Sequence, residues 1–174
     1  MPASIVPGSY GYVLFKYEML NSNTPGIPPF KKVTLSEISY TSSALKHYIE
    51  KYHKLPSNIT VGRYTVPMST MIYLLTNSVY NINNGNIGLI TVRYFREPVD
   101  PFETFSGGTI SRTDYINMAH SYKNIMDIRG KALPYIEIKQ GKVRYESLIY
   151  MYSRIMEAYG LSGRLPVGIP VEPW

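Results

Sequence analysis

The sequence predicts an α+β fold made of two tandem copies of one unit, each a strand, a helix, a small β-hairpin and a second helix, packed against each other. Three observations predict it. The stretch LPSNITVGRYTVPMSTMIYLLTNSV at 55–79 returns as LPYIEIKQGKVRYESLIYMYSRIM at 133–156. Upstream of it, equivalent residues keep an offset of 77, Gly11 with Gly88 and Lys46 with Lys123. Inside each copy the apolar period switches between 2 and 3.6, the mark of alternating strands and helices. A unit this short cannot bury a large core alone, so an interface between the copies is expected. The division that follows is a leader at 1–10, a first module at 11–87 and a second at 88–165. The proline-rich, aperiodic 166–174 is expected to open a linker to a further domain.

The elements are justified in order. Residues 11–17 alternate and carry Tyr12, Val13, Phe15 and Tyr17, and 88–95 carry Ile90, Val92, Tyr94 and Phe95; both are predicted strands. Each leads into a proline-bearing segment, 21–32 and 96–109, expected to be loops without a functional role. Ser36 or Thr34 then offers an N-cap and Glu37 a first-turn carboxylate, with Thr113 and Asp114 in the same places of the second copy. Ile38, Thr41, Leu45, Ile49 and Tyr52 make one helical stripe, preserved by Tyr115, Met118, Tyr122 and Met126. That helix stops before Leu55-Pro56 and Leu133-Pro134. Runs 59–61 and 136–138, each followed by a glycine turn (Gly62, Gly141) and a β-prone stretch, predict hairpins.

A second helix is predicted at 68–82 and 145–159. Met68, Met71, Ile72, Leu75, Val79 and Ile82 fill one arc about 100° wide, as do Tyr145, Leu148, Ile149, Tyr152, Met156 and Tyr159. Tyr73, Tyr80, Thr76 and Asn77 project from the opposite face, and Tyr150 holds the Tyr73 position. These rings either form a ligand platform or bury against the twin copy or another domain.

Composition excludes several classes. The chain has no cysteine, so disulfides, thiolate metal sites and cysteine nucleophiles are absent together. No apolar run approaches the ~18 residues of a membrane span, and the N-terminus lacks the basic, apolar pattern of a signal peptide. Ser69, Ser78 and Ser147 have no visible His/Asp company, and Gly107-Gly108 lacks phosphate-loop spacing. His47, His53 and His120 stand without the carboxylates that a metal or acid/base site needs. No catalytic residue, metal ligand or cofactor is therefore expected. The formal charge of +6 favours acidic partners, although the basic residues are scattered. Seventeen tyrosines supply rings suited to sugar faces, peptides or bases.

The order capped helix, Leu-Pro, β-prone turn, then a helix with a Met/Leu-Ile-Tyr-Leu/Met core resembles the pseudomurein-binding repeat of proteins that attach to methanogen cell walls. The resemblance covers roughly 34–83 and 111–159, and is looser in the second copy, where Arg129-Gly130-Lys131-Ala132 adds a residue. It implies non-catalytic binding of pseudomurein, a polymer with a uronic acid in its glycan and glutamate in its crosslinks. The chain is most similar to the wall-binding part of viral pseudomurein endoisopeptidases. That implies a C-terminal cysteine peptidase domain in cis, production in the host cytoplasm, and action on the wall at lysis. The candidate ligand residues are Tyr73, Tyr80, Tyr150, Asn77, Lys46 and Lys123. The competing readings are a basic nucleic-acid-binding module stacking bases on exposed tyrosines, and a structural spacer or oligomerisation region.

Overall fold

The computed structural model describes residues 30–174. The strand expected at 11–17 and most of the loop expected at 21–32 lie outside the described residues. The first half runs β1 (Lys32–Val33), α1 (Leu35–Tyr52), β2 (Asn58–Val61), β3 (Tyr64–Pro67), α2 (Met68–Asn83) and β4 (Ile90–Thr91). The second runs β5 (Gly108–Ser111), α3 (Arg112–Arg129), β6 (Tyr135–Ile138), β7 (Gly141–Arg144), α4 (Tyr145–Ser162) and β8 (Gly168–Val171). The class is α+β, and the order strand, helix, hairpin, helix, strand occurs twice. In both halves the outer strands pair antiparallel, β1 with β4 and β5 with β8, while β2–β3 and β6–β7 form the hairpins.

Those outer pairs correct two expectations. The segment 88–95 contributes only the short β4, which closes the first half against β1 and does not open the second. The segment 166–174 is no linker start at 168–171, because β8 completes the second half by pairing with β5. Its Ile169 and Val171 are buried while Pro170 between them is exposed. An alternating strand with proline on an open edge meets the rule that proline must not face a ladder partner with its missing N–H. Farther on, the Trp174 backbone N–H donates to Glu103 at 2.8 Å, and its ring stacks on His53 with centroids 4.8 Å apart.

Helix starts are satisfied in two ways. Thr34 caps α1 in a full capping box with Glu37, and Ser111, two residues ahead of the expected Thr113, caps α3. At the other ends His53 and Gly130 adopt left-handed conformations, φ 50° and 71°. Neither α2 nor α4 has a side-chain cap of its own, since Pro67 and Arg144 stand at those positions. The connection between the halves supplies both carboxylates instead. Glu97 accepts from the Ser69 backbone N–H (3.1 Å), and Glu103 accepts from the Arg144 N–H (3.1 Å) and the Ser147 hydroxyl (3.2 Å). The loop expected to be idle thus neutralises the positive ends of both central helices.

Packing crosses between the halves. α1 lies along α4, α3 lies along α2, and α2 meets α4 in the centre. Ile38, Leu45 and Ile72 from the first half and Tyr115, Tyr122 and Ile149 from the second join one buried cluster. Each fully buried side chain of this size contributes about 1.5–3 kcal/mol. The interface expected between the copies is therefore the core itself.

The second helix of the first copy departs from its expected two-faced character. All of Met68 through Val79 in α2 is buried, including Tyr73, Thr76 and Asn77 on the face opposite the apolar arc. A helix without one charged residue between 68 and 83 has no face that needs water. Two of its hydroxyls turn back to carbonyls one turn earlier, Thr76 to Ile72 (2.8 Å) and Ser78 to Leu74 (2.7 Å), while Ser69 and Thr70 donate to the Phe95 and Arg93 carbonyls.

Candidate binding surface

Four of the six candidate residues are engaged in two equivalent clusters that clasp the halves together. In one, the Tyr73 hydroxyl on α2 donates to Asp127 on α3 at 2.7 Å, and Asp127 also pairs with Lys123 at 3.5 Å and with Arg93. In the other, the Tyr150 hydroxyl on α4 donates to Glu50 on α1 at 2.7 Å, and Glu50 pairs with Lys46 at 3.7 Å. Lys46, Glu50 and Tyr150 are the counterparts of Lys123, Asp127 and Tyr73, with the tyrosine exchanged between copies. Burial, reinforced by Asp127, pushes the Tyr73 phenol up. Burial followed by the Glu50 carboxylate pushes Tyr150 up to about 12. Lys46 further reaches Glu157 at 3.3 Å, and Ser43 donates to the same carboxylate at 2.7 Å.

The remaining two candidates are also committed. Asn77 donates to the Tyr73 carbonyl at 2.8 Å. Tyr80 stacks on His120 of α3, centroids 4.2 Å apart and planes 11° from parallel, with the Lys123 ammonium 5.9 Å from its ring. Of the two readings of Tyr73 and Tyr150, the structure places both rings between the copies. Tyr73 is only 7% exposed and packs against Phe95, so it presents no face to a ligand.

Two groups of partly or well exposed rings, each with a lysine, lie beside the hairpins, while Tyr40 and the Lys51–Tyr52 pair are exposed on α1. The Lys31 ammonium sits 5.4 Å from the Tyr64 ring and 4.9 Å from the Tyr94 ring, and donates to the Tyr94 hydroxyl at 3.1 Å. At the second hairpin the Lys142 ammonium is 4.8 Å from Tyr135 and 5.5 Å from Phe102. Phe102 is half exposed and meets Tyr135 edge-on at 6.3 Å. Sequence reasoning missed these groups because their members come from separate segments, three for Lys31, Tyr64 and Tyr94, and the hairpin plus a loop for Tyr135, Lys142 and Phe102. A weak signal was present: Tyr94 and Phe102 flank a proline-bearing loop, where a large ring has little other reason to stand.

Among the described residues no three His, Asp or Glu side chains converge as a metal would require. His47 engages the Ser43 carbonyl at 2.8 Å, while His53 and His120 are stacked on rings. Ser69 and Ser147, considered as nucleophiles, bond the Phe95 carbonyl (2.7 Å) and Glu103 (3.2 Å). Among the described residues no helix is long and apolar enough to cross a membrane. A scan against protein-family models and a search of curated proteins both return no match.

Proposed function

We propose that the chain is a non-catalytic binding region for an acidic cell-wall polymer, pseudomurein by the sequence resemblance, which brings a peptidase domain attached in cis to the wall. The observation that carries the reading is the pair of aromatic and basic groups, Lys31–Tyr64–Tyr94 and Lys142–Tyr135–Phe102, one beside each hairpin. Rings offer apolar faces to sugars, and an ammonium beside them answers a uronate or glutamate carboxylate. A net charge of +6 favours approach to such a polymer. Two groups on one chain add by effective concentration, so each can be weak. This moves the ligand role from Tyr73, Tyr80, Tyr150, Asn77, Lys46 and Lys123 to residues around the hairpins.

The test is co-sedimentation with pseudomurein fragments of Lys31→Ala, Tyr94→Ala, Phe102→Ala and Lys142→Ala, singly and combined. Taking ~0.5–1.5 kcal/mol for each lost ring contact, a single ring variant should weaken binding about two-fold to ten-fold with the melting point kept. The combined variant should lose more than any single one. Wild-type affinity in the combined variant sinks the assignment. The same cation and ring chemistry also suits single-stranded nucleic acid, and preferential, steeply salt-dependent binding to such strands would favour that reading instead.

A further inference from the structure

Between α3 and the second hairpin runs a groove of about 320 Å³, floored by Met118, Ile136 and Ile138 and rimmed by Asp114, Glu137 and Lys139. One wall is the outer edge of β6. The hairpin register pairs Ile138 with Gly141 across the two-residue turn and Glu137 with Lys142 next to it. In an antiparallel ladder those pairs alternate, so the Glu137 N–H and C=O face away from β7, toward the groove. Neither group has a hydrogen-bond partner among the described residues. The opposite edge of the hairpin is covered, because Thr104 and Phe105 donate their N–H groups to the Lys142 carbonyl at 2.9 and 3.0 Å.

The first copy shows what closes such an edge. There the Thr41 hydroxyl donates to the Thr60 carbonyl, the counterpart of Glu137, at 2.8 Å. Glu37 is held in its capping box, with its carboxylate lying over Gly62, 2.7 Å from where a Cβ would stand. In the second copy Met118 replaces the threonine and has no hydroxyl to give. Asp114 replaces the glutamate, and its carboxylate has no hydrogen-bond or ion-pair partner among the described residues. At the same place in the repeat, the outward carbonyl is capped by a hydroxyl in the first copy and left uncapped in the second.

We infer that β6 is a docking edge on which a short extended peptide with basic side chains adds as a third strand, its backbone bonding Glu137 and its apolar residues resting on Met118 and Ile136. Two carboxylates against one ammonium around the groove set the preference for positive charge, in a chain that is otherwise basic. The inference does not rest on wall binding, since it uses neither lysine of the proposed polymer site.

The probe is the acetylated, amidated pentapeptide Val-Lys-Val-Lys-Val, titrated into the isotope-labelled full chain while backbone amide shifts are followed. Saturable shifts at Glu137 and its neighbours are expected, with none at the Thr60 edge. N-methylation of the peptide at alternate residues should weaken binding about ten-fold or more, by removing strand hydrogen bonds. Met118→Thr, which restores the hydroxyl of the closed copy, and Glu137→Pro, which removes the outward N–H while sparing the ladder, should each do the same. A glutamate-containing counterpart should bind more weakly than the lysine peptide. Binding indifferent to N-methylation, shifts centred elsewhere, or no saturable shift with any peptide would each overturn the inference.

Discussion

Replacing Tyr73 by alanine separates a structural clasp from a ligand platform, and its cost can be worked from the structure. The ring is 7% exposed, packed on Phe95, with its hydroxyl on Asp127 at 2.7 Å. Truncating a buried aromatic to alanine costs about 3–5 kcal/mol in lost contacts and cavity. No further charge penalty follows, because Asp127 keeps Arg93 and Lys123. For a chain of 174 residues, each kcal/mol moves the melting point by about 2–4 °C, so Tyr73→Ala should melt about 6–20 °C lower. Tyr73→Phe keeps the ring and loses one hydrogen bond, a cost of about 0.5–1.5 kcal/mol. Tyr150→Ala, at a half-buried position, should fall between the two. Circular dichroism melts of the three variants provide the assay. A Tyr73→Ala protein with the wild-type melting point and weakened polymer binding would refute the placement of the ring between the copies.

Further outcomes are expected. Ile72→Asp or Ile149→Asp puts an unpaired charge at a fully buried position and should unfold the whole chain, both copies together, because they share one core; a variant with one half still folded by hydrogen exchange would contradict the shared core. Burial disfavours ionised Glu157, but Ser43 and Lys46 outweigh it and hold the carboxyl below its ordinary 4.5. Its stabilising contribution is therefore full above about 4.5 and lost as pH falls through the lowered value, and in a Glu157→Gln protein acid unfolding should show a shallower pH dependence. At the alkaline end, burial raises the Tyr115 and Tyr150 phenols to about 12. Stability is thus kept below pH 10 and drained between 10 and about 12, and tyrosinate absorbance should rise in step with unfolding; full ionisation of a still-folded chain would contradict the burial. Incubation of the purified chain with pseudomurein should release no peptide or sugar, which chromatography of the supernatant checks.

Much of the fold could be read from the repeat. The hairpins, the helix spans and the Thr34 cap follow from local rules that a single sequence obeys: glycine at the turn, a hydroxyl before a carboxylate, apolar residues at helical spacing. What escaped depends on contacts distant in sequence. The 166–174 segment lacks periodicity, and only pairing with Gly108–Ser111 makes it a strand. The acidic caps of α2 and α4 come from Glu97 and Glu103, dozens of residues from one helix or the other.

The surroundings of the candidate residues escaped the sequence for a related reason. A hydrophobic arc was legible in α2, but whether the face across from it met a ligand or the twin copy was left open by the helix geometry. The absence of any charge in that helix was the better signal, since serine, threonine and asparagine can satisfy themselves on their own backbone while charged side chains cannot. Lys46 and Lys123 are equivalents, each with an i,i+4 carboxylate on its own helix that spacing can suggest, but their further contacts, Glu157 and the Tyr80 ring, sit on the other copy's second helix, which no spacing within one copy reveals.

The proposed function requires recognition of one kind of wall. Co-sedimentation of the full chain with isolated pseudomurein sacculi and, side by side, with bacterial peptidoglycan sacculi, at low and high salt, tests it most directly. Saturable retention on pseudomurein that persists in high salt, with little on peptidoglycan, is expected; equal retention on both walls, or none on pseudomurein, would contradict the proposed function.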